Sequence, residues 1–224
     1  MRRKLINNRY ALVQKRCYFL DMSNSPDPLR MLDLVQSRAS AVISTINIDQ
    51  MALPTPCDLW DVKDIVNKLV ASTRLFTGFG LRQPADPSLD LIDPKDLIGD
   101  DPVGVYLAAA KECRDAWRAT GALSGMATST IGEAKAKAVL NARIFDTTIL
   151  TWDISRACHI SHLIDEEQAS YVLYVAERLV PAVRSQSPER YKNPVSSMDG
   201  SSTVDTLISL TGRDPNWKAD TSKN

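Results

Sequence analysis

The most constraining feature of the sequence is an apolar helical segment at residues 142–157, which reads ARIFDTTILTWDISRA. It is part of a longer stretch, residues 133–158, that is long enough for one helix to span the molecule. Asp146, Leu150 and Asp153 follow one another at intervals of three and four residues, so they lie along one face of that helix. This face, together with residues 54–72, locates the candidate site.

Apolar residues at three- and four-residue spacing predict further amphipathic helices before and after this segment. One covers residues 29–46, a second is capped by Asp61, and a third runs from Pro102 to about Gly121. A fifth helix follows from residue 165 and ends near Pro181, and a short one covers the sequence TVDTLISL. No strand-like alternation stands out. The prediction is an all-α protein, an up-and-down helical bundle with four long core helices plus short extra helices.

The composition narrows the class of protein. Lys plus Arg and Asp plus Glu balance at 27 each in 224 residues, which argues against a nucleic-acid or anionic-membrane partner. No apolar run approaches the roughly 20 residues of a membrane span. The four cysteines are far apart and form no CxxC pair, which predicts reduced thiols in a cytoplasmic protein. Residues 1–21 are basic and are predicted to be a peripheral extension, and residues 22–224 to form a single domain.

Four phrases occur in order along residues 28–217 and carry a family resemblance. They are PTPC followed by Trp60, Val62 and Asp64, then DDPVGVY, then WD-x-x-RA from Trp152, and finally LISLTGRDPNW. The chain thereby resembles the DinB-like helical bundles of the mycothiol-dependent maleylpyruvate isomerase type. The resemblance implies the DinB-like fold and a divalent metal, usually zinc, held between facing helices by two histidines and an acid.

The positions that the resemblance assigns to the metal ligands have changed. Lys68 occupies the first histidine position, Asp146 the acid position, and Leu150 the second histidine position. A protonated ammonium does not ligate a metal, and leucine has no donor atom. The prediction is therefore that no metal is bound here and that no cofactor is required, while mycothiol binding stays open.

If the fold is retained, Lys68 and Asp146 face each other where the metal would lie. The first hypothesis is that the Lys68 ammonium replaces the charge of the metal, pairs with the Asp146 carboxylate, and forms with it a catalytic acid–base pair. The alternative is that Lys68 extends outward and Asp146 accepts a hydrogen bond from the hydroxyl of Thr147 or Thr151.

The residues expected to line the pocket around this pair are Leu150, Trp60, Trp152 and Asp153. Asp153 is expected to form an ion pair with Arg156, three residues later on the same helix. The histidines, His159 and His162, are interpreted as surface imidazoles at a helix C-terminus, where the helix dipole favours their charged form, and not as metal ligands.

Three functions remain open at this point. The first is a metal-independent enzyme or binding protein for a small organic molecule, working by isomerisation, cyclisation or elimination. The second is the role that the resemblance implies, a metal- and mycothiol-dependent isomerase or transferase. The third is a non-catalytic pseudoenzyme or regulatory bundle. The expected partner is a small organic molecule, and the expected assembly is a monomer or homodimer.

Overall fold

The computed structural model describes residues 26–58, 60–89, 91, 95–130, 132–186, 191–196 and 200–219. Its helices are α1 (Pro28–Ile43), α2 (Val62–Gly80), α3 (Pro102–Arg118), α4 (Ala136–Cys158), α5 (Glu166–Gln186) and the short α6 (Thr203–Leu210), with a 3-10 turn at Ile48–Gln50. A hairpin of β1 (Met126–Ser129) and β2 (Gly132–Lys135) precedes α4. The predicted N-terminal extension, residues 1–21, lies outside the described residues.

Side-chain caps fix where the helices start. Asp27 accepts the backbone N–H of Leu29 at the start of α1, and Asp101 accepts that of Gly104 at the start of α3. At α2, Asp61 and Asp64 form a reciprocal capping box. Each cap satisfies backbone donors that a helix otherwise leaves unpaired at its first turn. The predicted starts at Asp61 and Pro102 are therefore confirmed.

The long helices pack as antiparallel neighbours. Across α1 and α3, Arg118 pairs with Asp33 while Arg114 donates to Gln36, so residue numbers rise on one helix as they fall on the other. The same reversal holds between α4 and α5, where Gln168 donates to Thr148 at 2.9 Å and Tyr171 to Asn141 at 2.7 Å. The predicted helical bundle with antiparallel long helices is therefore confirmed.

α4 runs through the middle of the bundle and contacts α1, α2 and α5. Of its 23 residues, 17 are buried, which is why its apolar residues are not confined to a single stripe. One apolar cluster, containing Phe145 and Trp152, extends toward α5 and α6. A second, containing Leu150 and Ile154, extends toward α2 and α3.

The predicted absence of strands was wrong, and with it the predicted start of α4. β1 and β2 pair antiparallel in the register Ala127 to Ala134 and Thr128 to Glu133. Glu133 therefore lies in a strand, and α4 begins at Ala136, whose N–H donates to Gly125 O at 3.0 Å. Four-residue strands are too short to show a periodic pattern in a sequence.

α5 also continues past its predicted end. Pro181 lies inside the helix, which extends to Gln186. Proline removes one helical hydrogen bond, but Val180 and Val183 on either side of it are buried, with exposed fractions of 0% and 5%. Tertiary packing on both sides of Pro181 therefore outweighs the local preference to end the helix.

No helix in the described part of the chain has the length and apolar character needed to cross a membrane.

Gly212 provides a test of how the C-terminal segment is seated. Its φ is +84°, and a Cβ there would lie 2.7 Å from the backbone oxygen of Lys192. Gly121 has a similar φ of +81° but open space around the Cβ position. We expect Gly121→Ala to cost about 1–2 kcal/mol of unfolding free energy from the left-handed backbone alone. Gly212→Ala should cost about 1–3 kcal/mol more, because the backbone contact adds to the strain.

Urea unfolding monitored by circular dichroism measures both free energies. Equal losses in the two variants would show that the segment around Lys192 does not pack against Gly212.

Candidate functional site

A fully buried arginine lies between α2 and α4. Arg143 has an exposed fraction of 0%, and its guanidinium donates to Ser72 Oγ at 2.5 Å and to Thr73 Oγ1 at 2.6 Å. It also donates to Asp146 Oδ2 at 3.0 Å. Burying a guanidinium is costly unless it is paired and hydrogen-bonded, so these three acceptors are what allow Arg143 to lie in the bundle.

Asp146 is held by this arginine and remains partly accessible, with 28% of its side chain exposed. Its ion pair is with Arg143 and not with Lys68, so the direct pair predicted from the sequence was wrong. The predicted alternative also differs, because the hydroxyls of Thr147 and Thr151 donate to backbone carbonyls one turn earlier on α4. One carboxylate oxygen of Asp146 is thus fixed by Arg143, while Oδ1 accepts no hydrogen bond within the described residues.

Lys68 is half-buried, and its ammonium contacts the segments that precede and follow α2. Its Nζ donates to the backbone oxygen of Leu91 at 2.8 Å and lies 3.6 Å from the ring centroid of Trp60. A cation over an indole ring is stabilised by the ring quadrupole. Lys68 therefore links α2 to the loop that carries Leu91, and to the turn that precedes α2.

The register of α2 against α4 places Lys68 and Asp146 at the same level of the bundle. Arg143 donates to Ser72 and Thr73, which fixes the level at which α4 meets α2. Because the two helices run in opposite directions, Asp146, about one turn after Arg143, lies level with Lys68, about one turn before Ser72. Lys68 and Asp146 both influence the pKa of Asp153, which lies one turn further along α4 from Leu150. The two predicted site residues are therefore neighbours in space without being directly paired.

The four residues predicted to line one pocket lie in different parts of the structure. Leu150 and Trp152 are buried, with exposed fractions of 3% and 2%, but in opposite apolar clusters of the bundle. Trp60 lies under Lys68. Asp153 is fully buried. A cavity of about 570 Å³ lies between α2, α3 and the loop after α2, and the residues that line it do not include these four, Lys68 or Asp146.

Asp153 forms a buried ion pair with Arg213, from the GRDPNW turn. Two bonds join the groups, Nε to Oδ1 at 2.7 Å and Nη2 to Oδ2 at 2.8 Å. The predicted partner, Arg156, instead donates to the backbone oxygen of Trp217 at 3.1 Å, so that prediction was wrong. Burial raises the pKa of Asp153, and the guanidinium opposes that rise. Burial alone would lower the pKa of Arg213, but the Asp153 carboxylate outweighs this effect and raises that pKa above its ordinary value.

His159 and His162 do not share one environment. His159 is exposed and ends α4 with a left-handed backbone, φ +56°. His162 is half-buried, and its Nδ1 accepts the backbone N–H of Ile164 at 3.0 Å. Burial, followed by the charge of Arg156, lowers the pKa of His162, which is opposite to the direction predicted from the helix dipole.

The described residues contain no group of three histidine, cysteine, aspartate or glutamate side chains placed to hold a metal ion. At the positions that the family resemblance assigns to the metal, the Asp146 carboxylate is a donor, whereas the Lys68 ammonium is engaged with Leu91 and Trp60 and has no free lone pair. Leu150 contributes none. Three protein ligands are the usual minimum for a catalytic zinc, so this set does not fit one.

Arg143 and the neighbouring Tyr106 each carry a polar group that the sequence did not single out. The Tyr106 hydroxyl and the Arg143 Nε are both buried and lack a hydrogen-bond partner among the described residues. Burial raises the pKa of Tyr106 to about 12, with the Arg143 charge opposing the rise. The sequence signal for Arg143 was its position three residues before Asp146, a spacing that places the two side chains on one face.

No protein-family model matches the sequence. The chain is similar to the uncharacterized proteins Rv0738 and MT0763 of two Mycobacterium tuberculosis strains, H37Rv and CDC 1551. Each is 26% identical over 154 residues, which cover 69% of this chain and 80% of the relative.

Among solved structures, the chain is similar to the mycothiol-dependent maleylpyruvate isomerase, with a TM-score of 0.59, 14% identity, and coverage of 84% of this chain and 89% of that one. The H52A mutant of that enzyme gives a TM-score of 0.60 at 13% identity, covering 83% and 88%. At this level of identity, the similarity establishes the fold.

The Asp153–Arg213 pair yields a stability prediction. We expect Asp153→Asn to lower the unfolding free energy by about 3–5 kcal/mol, because it leaves a buried guanidinium without its counter-charge. The double variant Asp153→Leu with Arg213→Met should recover most of that loss, since no buried charge remains. Asp115→Asn breaks the exposed pair with Lys111 and serves as the control, with no measurable change expected.

Urea denaturation gives each value. A loss in Asp153→Asn no larger than in Asp115→Asn would mean that the C-terminal turn is not fastened by this pair.

Proposed function

We propose that this protein acts on a small organic molecule by metal-independent acid–base chemistry, with Asp146 as the proton acceptor and Lys68 as the nearby cation. The reaction classes are isomerisation, cyclisation and elimination. The observation that carries the proposal is the asymmetric environment of Asp146, in which one carboxylate oxygen is fixed by a buried arginine and the other is left to meet a ligand.

The fixed carboxylate supports a catalytic role because a general base has to be held within hydrogen-bond reach of the proton it removes. Arg143 orients Asp146, and Ser72 and Thr73 orient Arg143. A chain of this kind, in which each group is held by the next, is the arrangement that keeps a catalytic side chain within about 0.5 Å of its productive position.

The Lys68 ammonium supports the second half of the proposal. Removing a proton from carbon next to a carbonyl places negative charge on the carbonyl oxygen, and a cation held nearby stabilises that charge as it develops. Return of the proton to a different atom completes an isomerisation, and loss of a leaving group completes an elimination. In both cases Asp146 holds the proton during the reaction, and no oxidant or reductant is needed.

The residues at the positions that the family resemblance assigns to metal ligands support chemistry without a metal. Lys68 is engaged with Leu91 and Trp60, and Leu150 is packed in an apolar cluster. Neither provides a ligand in this arrangement. The Lys68 charge acts on the same face of α4 that carries Asp146, through its influence on Asp153, and this supports a role for it in place of a metal's positive charge.

Two other functions each have an observation in their favour. The shared fold favours the second candidate, a metal- and mycothiol-dependent isomerase or transferase. The burial of Leu150 favours the third, a non-catalytic bundle in which the site has filled with apolar side chains.

Substitution of the two proposed catalytic residues tests the first function. After a substrate has been found by screening small carbonyl-containing acids for turnover, Asp146→Asn should lower kcat/KM by at least about 100-fold, the usual contribution of a general base. Lys68→Met should have an effect of similar size.

Lys63→Met is the matched control, because Lys63 also lies on α2 and also binds the following loop, through Asp96 at 2.7 Å. Its activity should stay near wild type. Equal losses in the Lys63 and Lys68 variants would assign both residues to holding the loop. Unchanged activity in Asp146→Asn would refute the proposed base.

Metal content separates the first candidate from the second. For protein purified without chelator or affinity tag, we expect much less than one zinc per chain by elemental analysis, and no gain in stoichiometry after incubation with zinc or nickel. About one metal ion per chain, lost in Asp146→Asn, would support the metal-dependent alternative and contradict the proposal.

A further inference from the structure

A cavity of about 570 Å³ opens between α2, α3 and the loop that follows α2, away from the residues of the proposed site. α2 contributes Arg74, Leu75 and Gly78, and α3 contributes Glu112. Its volume lies within the range of about 300–1,000 Å³ that is usual for small-molecule sites.

Opposite charges line this cavity without neutralising each other. Arg74 and Glu112 are on neighbouring helices, yet within the described residues neither forms an ion pair or a side-chain hydrogen bond. Lys95 is a second cation in the wall, also exposed. The other acid, Asp86, is already engaged, since its Oδ1 accepts the N–H and the hydroxyl of Ser88.

Leucine side chains form part of the remaining wall on both sides of the cavity, beside the polar residues Gln83 and Ser88. Leu75 of α2 is buried, and Leu89 and Leu97 of the loop pack at its other side. The cavity is open to solvent and combines a cation, an anion and apolar side chains in its lining. A ligand that fits all three has a carboxylate, an ammonium group and an apolar body.

The loop wall is fastened to α2, so the cavity does not depend on ligand binding to form. Lys63 binds Asp96, the Asn67 side chain accepts the N–H of Leu97 at 2.6 Å, and Lys68 donates to Leu91. At the other end of the loop, Gln83 N–H donates to Gly78 O at 2.8 Å. A wall anchored at both ends lowers the ordering cost that a ligand would otherwise have to overcome.

We propose that this cavity binds a zwitterionic small molecule of the amino-acid or short-peptide type, with its carboxylate at Arg74, its ammonium at Glu112 and an apolar side chain against Leu75, Leu89 and Leu97. The site is separate from the one formed around Asp146, and the proposal does not depend on catalysis there.

The test is calorimetric titration of the full chain with L-leucine and with the dipeptide leucyl-leucine. Two analogues each lack one charge, 4-methylpentanoate without the ammonium and isopentylamine without the carboxylate. At least one zwitterion should bind saturably with a millimolar or tighter dissociation constant, and each analogue should bind at least about tenfold more weakly, since each loses one charge-assisted contact. Saturable binding of neither zwitterion, or equal binding of either analogue, would overturn the proposal.

Two variants locate the binding. Arg74→Gln and Glu112→Gln should each weaken binding of the zwitterion at least about tenfold. Lys111→Gln changes a residue beside Glu112 that pairs with Asp115 and does not line the cavity, so it should leave binding unchanged. An equal loss in Lys111→Gln, or no loss in Arg74→Gln, would place the binding elsewhere and refute the assignment. Circular dichroism of each variant checks that the fold is retained.

Discussion

The burial of α4 is the constraint on which the rest of the structure depends. A helix surrounded by neighbours on nearly every side has no solvent to satisfy its polar side chains, so each must find a partner within the protein. The hydroxyls of Thr147, Thr148, Thr151 and Ser155 return to carbonyls one turn earlier on the same helix. The buried charged groups also need partners from other elements, Arg143 from Ser72 and Thr73 and Asp153 from Arg213, so they determine how those elements are placed.

Arg143 and Asp153 illustrate two outcomes of that constraint. Asp153 meets Arg213 through two hydrogen bonds and is fully enclosed, so the pair serves to fasten the C-terminal turn to the bundle core. Arg143 is equally buried, but its counter-ion Asp146 reaches toward the surface and shares only one of its oxygens with the guanidinium. In the Asp153–Arg213 pair both carboxylate oxygens accept hydrogen bonds, so this pair is structural. The second retains an unsatisfied acceptor at an accessible position, which is the feature a reactive carboxylate needs.

Much of the fold followed from the sequence because periodicity and capping are local signals. The helix starts at Asp61 and Pro102 depend on residues within one turn, and both were correctly placed. The ion pairs were not correctly predicted. The partner of Asp153 lies 60 residues away, whereas the rule that pairs residues three or four apart on a helix selects Arg156. The hairpin before α4 was missed for the opposite reason, that strands of four residues carry too little pattern. The end of α5 was predicted too early, at Pro181, because burial of the neighbouring residues outweighs the local tendency of proline to end a helix.

Lys68 shows why the sequence could place a residue on α2 but could not give the direction of its side chain. Its position on α2 followed from the spacing to Trp60, but the direction of a long, flexible side chain depends on groups that no helical spacing reveals. The ammonium turns to Leu91 and the Trp60 ring. One residue thereby contacts the turn before α2 and the loop after it, while its charge also influences Asp153 on α4.

Any change in the loop that moves Leu91 therefore also moves a charge beside α4. Because Lys63 and Asn67 bind the same loop from the same helix, the cavity wall and the Lys68 charge are held by one surface of α2.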